Sequence, residues 1–92
     1  MDVTLDLEAR ALACIRPACA AELRACLAGE PQRVLAERTG RPFSSVRRAL
    51  AGRAPLEYLL GLAPAVGLSP AQLFERALAR ATRAELEGLS HD

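Results

Sequence analysis

An all-α bundle of five to six short helices is the fold that this 92-residue chain predicts. Alanine and leucine dominate, aromatic residues make up only 3% and β-branched residues are few, so local preferences favour helix almost throughout. The six prolines and six glycines fall mostly where helices should start or stop. Apolar residues between them recur at helical spacing. A chain this long supports one domain around one small core, expected over residues 1–89, with 90–92 as a tail.

Each element follows from that punctuation. Residues 5–15 form the first helix, with Thr4 as N-cap and an apolar stripe at 5, 9, 12 and 15. Pro17 resets the chain and opens a helix over 17–28, apolar at 19, 20, 23, 26 and 27 and closed by Gly29. Pro31 introduces the next, over 32–39. It turns Leu35 and Ala36 inward, with Val34 and Thr39 nearby, and leaves Arg33, Glu37 and Arg38 outward.

Gly40 stands where a left-handed C-cap is needed. The following helix, over about 43–51, turns Val46, Ala49 and Leu50 to the core and Ser44, Arg47 and Arg48 to the opposite face, and Gly52 ends it. Pro55 restarts the chain for a helix up to Val66. Pro64 lies in its last turn and should kink it or end it early, because the proline ring clashes with the carbonyl of Leu60. Ser69, Pro70 and Gln72 make a capping-box pattern before Leu73, Phe74, Ala77, Leu78 and Ala81, and this last helix should reach about Leu86.

The net charge of +1 conceals an uneven distribution. Residues 32–53 carry six arginines and one acid, Glu37, for a net of +5, whereas the segments on either side are each −2 with His91 neutral. The chain has no lysine, so every side-chain cation except a protonated His91 is a planar guanidinium able to contact phosphate or guanine through two bonds. High-GC coding is the competing explanation of that bias.

Other classes are disfavoured. No apolar run is long enough to span a bilayer, and the N-terminus is acidic where a secretory signal would be basic, so a cytoplasmic protein without a membrane partner is expected. Cys14, Cys19 and Cys26 form no C-x-x-C pair and the only histidine is His91 in the tail, so neither a metal site nor a cofactor is expected. The thiols read as small apolar fillers in a reducing compartment. An enzyme is not expected: there is no histidine before the tail and no Gly-rich phosphate loop.

The stretch QRVLAERTGRPFSSVRRALAG, residues 32–52, resembles the helix-turn-helix of Cro and lambda-repressor regulators, the XRE family. The features that carry the resemblance are Gln32, Leu35-Ala36, Gly40, Val46, Leu50 and Gly52, together with PLEYLLGLAPAVGLSPAQLF downstream. It covers about residues 20–78, on a core of 17–78, and implies a lambda-repressor-like bundle with a central helix-turn-helix. In that family the second motif helix lies in the major groove. The resemblance therefore implies base contacts from Phe43, Ser44, Arg47 and Arg48, and backbone contacts from Gln32, Arg33, Arg41 and Arg53.

Three positions depart from the family pattern. Arg41 stands where an apolar residue is usual, Pro42 replaces a Ser or Thr cap, and Phe43 replaces a polar base reader. Phe43 either contacts a thymine methyl or folds inward to fill the place left at 41, and the inward placement is the one favoured. The function implied is a transcriptional regulator, a repressor or autoregulator, that binds double-stranded DNA at a palindromic operator as a homodimer. Extensions 1–16 and 79–89 are the candidate dimer elements, with Ala77, Leu78, Ala81 and Leu86 as a pairing stripe whose alternative is packing within one chain. A protein-interaction module of the same fold, such as an antitoxin or adaptor, is the other reading.

Overall fold

The computed structural model describes residues 3–89. They form six α-helices and one 3-10 turn, with no strand among the described residues: α1 (Val3–Ala13), α2 (Ile15–Leu27), α3 (Arg33–Thr39), α4 (Phe43–Leu50), α5 (Leu56–Gly61), the 3-10 turn Ala63–Val66 and α6 (Pro70–Leu89). The all-α class and the number of helices agree with the sequence expectation. The expected tail, 90–92, lies outside the described residues.

Pro17 explains the first break. A helix running through it would drive its ring into the carbonyl of Ala13, and α1 ends at that residue. Only Cys14 separates α1 from α2, so Pro17 falls in the first turn of α2, where a missing N–H breaks no helical bond. Thr4 lies inside α1 instead of capping it. The apolar stripe is also displaced: Ala11 and Ile15 are buried, while Ala9 and Leu12 are exposed. The reason is the neighbour, since α1 packs chiefly on α6 and only slightly on α2.

The other boundaries follow local chemistry. At the end of α2 the chain reverses on Ala28, with φ 51° and ψ 44°, one residue before the expected glycine. Pro64 does end the fifth helix early. That helix stops at Gly61, and Pro64 takes one of the first positions of the 3-10 turn that follows. The capping box before α6 is formed in both directions: the Ser69 amide donates to Gln72 Oε1 at 2.8 Å and the Gln72 amide donates to Ser69 Oγ at 3.1 Å.

The helices close around α2. Its Cys19, Ala20 and Leu23 are fully buried, and α4, α5, the 3-10 turn and α6 all contact it, α6 most extensively. Leu35, Leu50, Leu59, Leu62 and Leu73 complete the centre, each worth roughly 1.5–3 kcal/mol on full burial. The molecule measures 46 × 22 × 21 Å. Its length reflects α6, whose 20 residues span about 30 Å.

Burial and then the charge of Glu22 push the Cys19 thiol from its ordinary 9.0 up to about 11. Glu22 itself is held by Arg80, whose Nε lies 3.0 Å from its carboxylate. Because the unfolded chain loses this proton first, the thiol's contribution to stability is complete below pH 9 and falls away as pH rises toward about 11. Melting temperatures followed across that window should show the decline in the wild type, and Cys19→Ala should remove that part of it. Ala28→Gly should raise stability by about 0.5–1 kcal/mol in urea titrations, since an L side chain is strained in the left-handed region.

Candidate functional site

The segment from α3 through α4 is built as two short helices joined at Gly40, whose φ of 68° suits a residue without a side chain. One face of α4 is committed to the core, with Val46 and Ala49 fully buried and Leu50 at 1% exposure. Helical geometry then requires Ser44, Arg47 and Arg48 to face outward, and all three are exposed.

The end of α4 is fixed from two directions. The chain turns at Gly52, with φ 79°, so that the Arg53 amide donates back to the Arg48 carbonyl at 3.1 Å and the Gly52 amide to Ala49 at 2.9 Å, a Schellman-type close. A side chain at residue 52 would also meet Pro17 Cα at 3.4 Å, which shows how closely this turn approaches the start of α2. Arg24 of α2 donates to the Leu50 carbonyl, one of the acceptors left over at a helix end. Ser44, Arg47, Arg48, Ala51 and Arg53 thereby line one shallow, open concavity.

At the other end of α4 the cap is Pro42, which has no side-chain acceptor for the first amides of the helix. Phe43 follows and is 39% exposed, outside the hydrophobic core. The favoured inward placement is thus corrected. The core below is already filled by Leu35, Ala36 and Val46, and the ring lies instead against Arg33, whose guanidinium carbon sits 5.8 Å from the ring centroid. Gln32 is half-buried at the start of α3 and makes no capping bond through its side chain.

Arg41, expected as a backbone contact, is also engaged within the chain. Its guanidinium carbon stacks 4.4 Å from the centroid of Tyr58 and Nη1 donates to the Tyr58 carbonyl at 3.2 Å. A Cβ on Gly61 would come within 2.7 Å of Nη2, so the bare backbone of α5 makes room for the cation. Arg41 therefore sits over the Tyr58 ring and joins the turn before α4 to α5. The Tyr58 hydroxyl is buried with no hydrogen-bond partner among the described residues, so the ring is placed by packing against the core and by the Arg41 contact and not by its polar end.

A similar strut comes from Arg38, which donates to the Ala65 carbonyl at 3.1 Å and pairs with Glu30 at 3.2 Å. Sequence reasoning did not assign supporting roles to Arg24, Arg38, Tyr58 or Gly61, because each acts on a residue distant in the chain. The remaining arginines of the segment differ in kind. Among the described residues Arg47, Arg48 and Arg53 have no side-chain hydrogen bond or ion pair, and neither has Arg33, whose guanidinium lies over the ring of Phe43.

The proposed pairing stripe divides. Ala77 is fully buried and Ala81 is at 4% exposure, both within the core of one chain, because α6 turns them toward α1 and α2. Leu78 is half-buried against the core and Leu86 is 49% exposed. Leu12 on α1 is exposed to a similar degree, at 47%. No three His, Cys, Asp or Glu side chains come together as a metal site among the described residues.

In comparisons with known proteins, no family model matches the chain, and neither a curated protein nor a solved structure matches it. The different roles of the arginines are measurable in the chain alone. Arg41→Ala should lower the unfolding free energy by about 1–2 kcal/mol through the lost stack and hydrogen bond, as read by urea titration. Arg47→Ala and Arg48→Ala should each change it by less than about 0.5 kcal/mol.

Proposed function

We propose that the chain is a sequence-specific DNA-binding transcriptional regulator of the Cro and lambda-repressor type, acting in the cytoplasm as a homodimer on a palindromic operator. The observation that carries this reading is the outward face of α4. Ser44, Arg47, Arg48 and Arg53 converge there on one concavity, and their three guanidiniums have no partner in the described chain. Guanidiniums held apart from carboxylates are suited to phosphate oxygens and to the O6 and N7 acceptors of guanine.

In this reading α4 enters the major groove with its first turn leading. Arg48 bonds a guanine through two N–H groups, Ser44 and Arg47 contact base edges or neighbouring phosphates, and Gln32, Arg33 and Arg53 hold the backbone. Arg41 supports the turn from behind. A helix of eight residues offers few base contacts, so two copies are needed for affinity and specificity. Exposed Leu12 and Leu86, on the helices that extend beyond the motif, replace Ala77 and Ala81 as the proposed pairing residues.

A second reading, a protein-interaction module, draws support from Phe43, since an exposed aromatic ring beside an arginine also suits a protein interface. Gel-shift titrations against genomic fragments separate the two. The regulator should bind one region with an affinity that falls steeply as salt rises, and Arg48→Ala should cost about 1–3 kcal/mol while relaxing the preference at one base pair. Binding no tighter than the nonspecific level would favour the protein partner. Sedimentation showing a monomer at high micromolar concentration would remove the homodimer.

A further inference from the structure

Phe43 is an exposed apolar ring set beside a cation. It occupies the first position of α4 at 39% exposure, with Ser44 beside it, Arg47 one turn further along and the Arg33 guanidinium 5.8 Å from its centroid. Burying such a ring would stabilise the fold, yet the inward positions nearby are filled by Leu35 and Val46, both fully buried. The ring therefore stays exposed at the start of α4, beside Arg33 and about 40° around the helix from Arg47.

A partner matched to this surface must be anionic overall and carry an apolar group at one point. The major groove of DNA meets both conditions, because the C5 methyl of thymine is the apolar group displayed there among hydrogen-bonding base edges and between two lines of phosphate. We infer that Phe43 is a specificity residue that reads a pyrimidine 5-methyl group, with Arg33 steadying the ring from the side. The inference rests on the DNA-binding reading. It goes beyond it by naming the feature of the base that is recognised and the side chain that recognises it.

The experiment uses the full chain and begins by selecting tightly bound duplexes from a random-sequence pool. Each thymine of a selected duplex is then replaced singly by uracil, which removes the methyl and leaves base pairing intact. Wild-type protein should lose about fourfold in affinity at one thymine per half-site, the worth of one buried methyl, and little elsewhere. Phe43→Ala should bind the thymine and uracil duplexes equally, while Phe43→Leu, which keeps an apolar group, should retain part of the preference.

The comparison of thymine with uracil uses unaltered protein, so it does not depend on how the variants fold. If duplexes are selected but no single uracil weakens binding, or if Phe43→Ala keeps the full preference, the methyl-reading role is overturned and DNA binding stands. If no duplex is selected above the random pool, both fail.

Discussion

Burial of Cys19, Ala20, Leu23 and Leu27 along one side of α2 determines where the other helices can lie, because α4, α5, the 3-10 turn and α6 all pack on that helix. Helices of six to eight residues such as α3, α4 and α5 are too short to persist alone in water, where about 12–15 residues are needed even for marginal stability. They exist because the core holds them. The outward residues of α4 consequently inherit their positions from Val46, Ala49 and Leu50, which share the core with Leu23, and from the Arg24 bond to the end of the helix.

The arginines divide the molecule's chemistry. Arg24, Arg38 and Arg41 are fastened to carbonyls, and Arg41 also to a ring, so their charges serve as joints between helices. Arg47, Arg48 and Arg53 are left to solvent on one face. Glu37 is the one carboxylate between residues 32 and 53, so few acids compete for them locally. A surface of this kind suits the anionic partner proposed for it, and with arginine in place of lysine each cation is a planar group able to bond through two N–H groups.

Much of the architecture was legible in the sequence because it rests on neighbours along the chain. Proline stops at 17 and 64, the reciprocal Ser69–Gln72 box and the inward register of Val46, Ala49 and Leu50 are all governed by residues within one or two turns. What escaped involves contact across the bundle or a conformation that residue type disfavours. Ala77 and Ala81 read as one stripe with Leu86, but which part of the stripe is covered depends on where α1 and α2 end up. Arg41 meets a tyrosine 17 residues away, and Phe43 stays outside because other residues already occupy the space beneath it. Ala28 adopts a backbone conformation in which glycine would be expected.

The stack of Arg41 on Tyr58 has a practical side. The chain contains no tryptophan and one tyrosine, so its near-ultraviolet emission arises essentially from the ring under that guanidinium. That ring sits at the junction between α5 and the turn leading into α4. The protein thus carries a built-in optical label at the joint that orients the outward face of α4, and movement of that joint can be followed without attaching a dye.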